Sequence, residues 1–101
     1  MKTIQLKPYF VGGASVKGMI FNQISVCTVA YLYEVNNKGL LHYEVFKRLK
    51  TAVCEDFEKR IYSETIFKER YPKENDFGKW AWTFLSKKSA RQKYRSLMCE
   101  T

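Results

Sequence analysis

Alternation of apolar and polar residues runs through most of the chain and predicts a protein built mainly from β-strands. Residues 3–10 alternate up to the aromatic pair Tyr9-Phe10, and Pro8 favours a sheet edge or a bulge. Residues 24–35, ISVCTVAYLYEV, are rich in β-branched and aromatic residues and give the clearest strand signal. We therefore predict strands over both segments, with a break at Gly12-Gly13 and a further apolar run over residues 16–22.

A hairpin is predicted after residue 35, because Asn36-Asn37-Lys38-Gly39 supplies residues that tolerate the positive φ angles of a tight turn. The returning strand is expected over Leu40–Lys47. Its alternate side chains should point to opposite faces, with Leu41, Tyr43 and Val45 on one face and His42, Glu44 and Phe46 on the other.

Residues 46–71 carry two competing patterns. Apolar residues recur at spacings of three and four from Phe46 to Ile61, as in an amphipathic helix, whereas residues 61–67 alternate like a strand. We predict a helix or irregular turn near residues 50–58, then a strand near residues 60–68. Pro72 and the polar residues 73–76 predict the next loop.

The C-terminal part predicts a strand followed by a helix. Residues 78–85, GKWAWTFL, place Trp80, Trp82 and Phe84 on one strand face. Ser86 or Ser89 can cap the helix that follows. An apolar stripe that should dock this helix on the sheet consists of Ala90, Tyr94, Leu97 and Met98. The predicted fold class is α+β, an antiparallel sheet of four or five strands with a C-terminal helix packed on one face.

Length and composition fit one folded domain spanning residues 1–101. The chain is 46% apolar, enough to build a core. No apolar run reaches the length of a membrane span, and the N-terminus lacks a secretory signal, so we expect a cytoplasmic protein with no membrane contact. The three widely separated cysteines, Cys27, Cys54 and Cys99, are expected to be reduced thiols.

Positive charge is unevenly distributed along the chain. The net charge is +8 and the isoelectric point is about 9.5. Residues 55–76 contain seven acids and five bases, whereas residues 79–99 contain six bases and no acid. A basic excess of this kind favours contact with phosphate-rich or acidic surfaces.

The C-terminal helix is the first candidate binding site. Lys88, Arg91 and Arg95 share one side of it, with Lys87 beside them, and a row of cations can follow a phosphate backbone. The alternative is an ordinary solvated face, although such faces usually mix charge signs. Further candidate cations are Lys47, Arg48, Lys50 and Lys79. The expected partner is nucleic acid, RNA rather than DNA, or a nucleic-acid-binding protein.

Four aromatic residues form a second candidate site: Tyr31, Tyr33, Trp80 and Trp82. They could stack bases of a single strand, but core packing is favoured, because a small domain must bury its largest side chains.

The segment GGASVKG, residues 12–18, partly matches the sequence pattern of a nucleotide-binding loop. Gly13 and Gly18 match the two glycines of a phosphate-binding loop, but Met19 and Ile20 stand where that loop needs Lys and Ser or Thr. A turn between strands is the better interpretation, with Lys17 at most a phosphate contact.

Catalysis has little support in the sequence. His42, the single histidine, lies two residues from Glu44, and Arg48 is the cation that a metal-independent nuclease would pair with it. Metal-ligand spacings are lacking. We predict a protein that is not an enzyme and has no metal or cofactor.

Residues 42–48 read HYEVFKR, and residues 71–84, which contain YPK and NDFGKWAWTF, are followed by the short helix. This combination resembles small uncharacterised proteins of phages and mobile elements. The resemblance implies a strand, loop, strand, helix order in a mobile-element setting. Small phage proteins often inhibit host defence by occupying a surface, as anti-CRISPR proteins do, so an inhibitor of a nucleic-acid–protein assembly is one expectation. The competing expectation is a protein-interaction module or small homodimer that uses exposed hairpin aromatics, with incidental charge.

Overall fold

The computed structural model describes residues 2–13 and 16–99. Within these residues the chain forms eight strands and one α-helix, which confirms the α+β class. The strands are β1 (Lys2–Ile4), β2 (Tyr9–Val11), β3 (Ile20–Val26), β4 (Ala30–Asn37), β5 (Leu40–Lys47), β6 (Lys50–Asp56), β7 (Ile61–Glu69) and β8 (Ala81–Phe84), and the helix is α1 (Lys87–Cys99). A three-residue 3-10 helix spans Glu74–Asp76. No helix among these residues has the length and apolar character needed to cross a membrane.

The chain divides into two compact units. The small unit comprises residues 1–6 and 48–71, and the large unit comprises residues 7–47 and 72–101. The large unit holds an antiparallel five-stranded sheet in the order β2-β3-β4-β5-β8, and the small unit holds a sheet in the order β1-β7-β6. The single domain expected from chain length stays a prediction.

The predicted hairpin between β4 and β5 is confirmed. The two strands pair from Ala30 opposite Lys47 to Asn37 opposite Leu40. The turn residues Lys38 and Gly39 both have positive φ, 54° and 90°. The Asn36 side chain also accepts a hydrogen bond from the Gly39 amide at 2.8 Å. Two residues of this conformation match the twist of the flanking strands and fix their register.

Two predicted strands are interrupted in the structure. The predicted strand over residues 24–35 breaks at residues 27–29, where the Cys27 amide donates to the Ala30 carbonyl at 3.0 Å and the chain reverses. The predicted strand over residues 3–10 is divided between β1 and β2. Pro8, which cannot donate to a ladder, lies just before β2. Strand propensity alone carried no signal for either break.

The prediction of a helix or irregular turn near residues 50–58 is wrong for residues 50–56, which form β6 and pair with β7 as a hairpin. The helical spacing would have buried Phe57, but that side chain is exposed in the connecting turn. The strand predicted near residues 60–68 is confirmed as β7. The loop after Pro72 contains the 3-10 helix.

Helix α1 packs on one face of the large sheet, as predicted. Ser86 caps it, since its Oγ accepts a hydrogen bond from the Ser89 amide at 3.4 Å. The core under the helix is formed by Ala30, Leu32, Val45, Ala90, Tyr94 and Leu97. Met98, the last member of the predicted stripe, is exposed. The opposite sheet face carries stacked rings, including Tyr33 on Phe46 at 5.7 Å between centroids.

Candidate nucleic-acid interface

One side of α1 gathers the cations that the sequence predicted there. At about 100° per residue, Lys87, Arg91, Arg95 and Lys88 occupy an arc of about 100° around the helix axis. Together with Gln92 they line one shallow depression of about 370 Å³. Arg91 is half-buried and the other four residues are exposed. We call these five residues the cationic face.

The charges of the cationic face are not neutralised by nearby acids. None of its four cations forms an ion pair with another described residue. The acids of residues 55–76 therefore do not tie up these head groups. A surface that keeps four positive charges without counter-charges can bind an anion without first breaking an ion pair.

The charge pattern of α1 works against helix stability. Lys87 and Arg91, and likewise Arg91 and Arg95, are like charges four residues apart, which costs a few tenths of a kcal/mol for each pair. The first turn contains Lys87 and Lys88 and no acid, opposite to the preference of the helix dipole. Violations of local stability rules concentrate at functional sites, so this pattern favours a binding role over a merely solvated face.

Lys93 lies on the other flank of α1. Its Nζ is 4.0 Å from the centroid of the Trp82 ring on β8. The contact places this flank of the helix above β8. The cationic face lies on the other side of the buried stripe from Lys93, away from the flank that contacts β8.

Arg48 is not an available binding cation, which corrects its assignment as a site residue. Its Nε donates to Glu69 Oε2 at 2.6 Å and its Nη2 donates to Oε1 at 3.1 Å, joining the chain just before β6 to the end of β7. The Glu69 side chain is only 5% exposed. The guanidinium therefore serves as a structural counter-charge within the small unit.

The remaining predicted cations belong to elements other than α1. Lys50 belongs to the small unit, where its Nζ lies 5.1 Å above the centroid of the Phe67 ring. Lys79 is exposed in the turn before β8, and Lys47 is half-buried at the end of β5. Among the predicted cations, the four on α1 line one depression together.

Tyr31 and Tyr33 cannot stack bases, because both side chains are buried. The Tyr33 hydroxyl donates to the Lys7 carbonyl at 2.8 Å, which satisfies its polar end inside the large unit. The core interpretation is right for both residues. Trp80 and Trp82 are half-buried, and Trp82 packs against the core under α1.

His42 lies beside a buried carboxylate but lacks the cation proposed for it. Its Nε2 lies within hydrogen-bond distance of Glu44 Oε2, at 2.9 Å, and Glu44 is buried. Arg48 is already engaged by Glu69. The pairing of His42 with Arg48 for phosphoryl chemistry therefore has no support.

The glycine-rich segment forms the connection between β2 and β3, as predicted. The Val16 amide donates to the Gly13 carbonyl at 3.1 Å, and Gly18 adopts a φ of 86°. Lys17 is exposed. Ala14 and Ser15 of this segment lie outside the described residues.

Tyr9 and Gln92 are candidate residues that the sequence reasoning missed. Tyr9 on β2 is 57% exposed, and Gln92 lies among the cations of α1. The alternation of residues 9–11 could have predicted that Tyr9 is exposed. Phe10 points inward and stacks on Phe21, so its neighbours on the strand point outward.

Comparison of the chain with protein-family models, with curated proteins and with solved structures finds no match.

Proposed function

We propose that this chain is a non-enzymatic binding module that engages nucleic acid, alone or within a nucleic-acid–protein assembly, through the cationic face of α1. The observation that carries the proposal is the group of four unneutralised cations lining one depression on an exposed helix. Lysine and arginine head groups release counterions from a phosphate backbone when they bind it.

The dimensions of the cationic face favour a polymeric anion over a small one. Lys87 and Arg95 are eight residues apart, which is about 12 Å along a helix that rises 1.5 Å per residue. A single small anion could contact only part of that length. A phosphate backbone presents charges repeatedly, and each arginine can grip a phosphate with two parallel hydrogen bonds.

Most of the charge excess belongs to the unit that carries α1. The large unit contains eleven Lys and Arg residues against five Asp and Glu residues, which gives it +6 of the net +8. A positive field of this kind raises the rate at which polyanions encounter the protein. The cationic face therefore lies within the more basic part of the molecule.

The test is a titration of fluorescently labelled, random-sequence single-stranded RNA at several salt concentrations, followed by anisotropy. If the four cations each contact a phosphate, the slope of log affinity against log salt should be about −3 for a single strand. Absence of binding at low salt, or binding that does not change with salt, would contradict the proposal.

A second candidate function, an apolar contact with another protein, is favoured by two leucines of the large unit. Leu40 is 74% exposed and Leu85 is 87% exposed. The hairpin aromatics first considered for such a contact are buried, so the candidate depends on these leucines. Sedimentation equilibrium of the wild type and of Leu85→Ser tests it: self-association that Leu85→Ser abolishes would support it, and a monomer at all concentrations would exclude the homodimer.

A further inference from the structure

Tyr9 lies on the same face of the large sheet as α1. Tyr9 pairs with Asn22 on β3. Asn22 pairs in turn with Glu34 on β4, and Glu34 pairs with Tyr43 on β5. Residues directly opposite one another in a sheet share a face. Tyr43 packs against the core under α1, so the whole row lies on the helix side of the sheet.

The helix leaves the far part of this face open. Helix α1 packs against β4, β5 and β8. On β2, Tyr9 and Val11 are both more than half exposed, and on β3 Asn22 is exposed. Lys93 lies on the flank of α1 that contacts β8, and the cationic face begins on the opposite side of the buried stripe. The open area is the surface of β2 and β3 beside the strands that the helix covers.

A single strand, β3, separates the helix-covered strand β4 from β2, which carries Tyr9. Neighbouring strands are about 4.8 Å apart, so β2 lies about 10 Å from β4, with β3 between them. A width of about 10 Å suits one polynucleotide chain, with phosphates at the helix and bases over the sheet.

The polar residues of the row suit bases rather than phosphates. Glu34 is half-buried on β4 opposite Asn22, and its carboxylate repels a phosphate. The carboxylate and the Asn22 amide can instead form hydrogen bonds with base edges. The row therefore directs the backbone toward α1 and leaves the bases above β3 and β2.

We infer that an unpaired polynucleotide strand lies along the angle between the cationic face and β3, and that the exposed ring of Tyr9 stacks on one of its bases. This inference rests on the proposed function and adds its ligand class. Aromatic side chains on a sheet surface stack the bases of single strands, whereas bases inside a double helix are already stacked on each other.

The test compares three labelled probes of equal length by anisotropy: oligouridylate, a ribose–phosphate chain without bases, and double-stranded RNA. The variants are Tyr9→Ala, Tyr9→Phe and Tyr62→Ala. Tyr62 is 55% exposed on β7 of the small unit and serves as the matched control.

Tyr9→Ala should weaken oligouridylate binding by roughly five-fold to a hundred-fold, the usual effect of losing one stacked base. It should leave binding of the base-free chain unchanged, which also shows that the variant is folded. Tyr9→Phe keeps the ring, and Tyr62→Ala removes an exposed ring that does not belong to the large sheet, so both should bind like the wild type. Double-stranded RNA should bind more weakly than oligouridylate.

Two results would overturn the inference while leaving the proposed function intact. One is oligouridylate binding that Tyr9→Ala does not change, and the other is tighter binding of the double strand. Failure of the wild type to bind any of the three probes would instead overturn the proposed function and this inference with it.

Discussion

The Nζ atom of Lys93 lies 4.0 Å from the centroid of the Trp82 ring, and this contact separates two kinds of cation on one helix. Lys93 packs on an aromatic face, whereas Lys88 belongs to the cationic face and contacts no described ring. The two lysines are five residues apart in the sequence, so they allow a matched comparison of a structural cation with a binding cation.

Lys93→Ala should lower the free energy of unfolding by about 1 kcal/mol, because it removes a partly buried cation–π contact. It should change RNA affinity little. Lys88→Ala should leave the free energy of unfolding within about 0.5 kcal/mol of the wild type and should weaken RNA binding. Urea denaturation and RNA anisotropy measure the two effects. If both substitutions affected both properties equally, the division of α1 into two flanks would be wrong.

Arg48→Ala should destabilise the protein by about 3 kcal/mol, since it leaves the carboxylate of Glu69, which is 5% exposed, without its bidentate partner. Arg48→Lys should recover only part of this loss, because an ammonium group cannot donate the two parallel hydrogen bonds. Lys50→Ala, which removes a cation from the same unit, should cost about 1 kcal/mol at most. Equal stability of Arg48→Ala and the wild type in urea would show that the pair is dispensable.

The phenol of Tyr94 should ionise at a higher pH than an ordinary tyrosine. Burial raises the pKa of its phenol from 10.0 to about 12, and a hydrogen bond with Cys27 adds to the effect. Because the folded protein favours the neutral phenol, the resulting stabilisation is complete below pH 10 and is lost as the pH rises through 12. The difference in tyrosinate absorbance between wild type and Tyr94→Phe reports this group alone.

In Cys27→Ala the same difference titration should move to lower pH, since the hydrogen bond to the neutral phenol is gone. Ionisation of Tyr94 near pH 10 in the folded wild type would contradict the environment described for this residue.

Gly39→Ala should destabilise the β4–β5 hairpin by about 1 kcal/mol. A Cβ at Gly39 would meet no atom within 4 Å, so the cost comes from its φ of 90° alone. Gly13 is the matched control, because a Cβ there also meets no atom within 4 Å and no positive φ is required. Thermal unfolding should show Gly13→Ala to be neutral or slightly stabilising. Equal losses for the two variants would mean that backbone conformation does not decide the effect.

The parts of the fold that the sequence predicted correctly are those specified by local chemistry. The turn residues at 36–39 fix a hairpin whatever surrounds it, and the spacing of Ala90, Tyr94 and Leu97 gives α1 its buried stripe. The cations of α1 could be grouped in advance for the same reason, since helical periodicity alone brings them to one side.

The parts that failed depend on contacts distant in sequence or on breaks without a local signal. The apolar run through residues 24–35 contains no glycine or proline to mark the reversal at 27–29. The spacing of apolar residues in 46–61 fitted a helix, but pairing with β7 made residues 50–56 a strand. Arg48 and Glu69 are 21 residues apart, so nothing local revealed that this cation was already engaged.

The central claim is that the cationic face of α1 binds nucleic acid. Its most direct test compares the RNA affinity of the double variant Arg91→Glu/Arg95→Glu with that of the double variant Lys59→Glu/Lys68→Glu. Both double variants change the net charge by the same amount, and Lys59 and Lys68 are exposed cations of the small unit. If the cationic face binds the phosphate backbone, the arginine variant should lose roughly a hundred-fold in affinity, about 1.5 kcal/mol for each of the two arginine–phosphate contacts removed. The lysine variant should lose much less. Equal losses in the two variants would show that net charge, and not the face of α1, attracts the ligand.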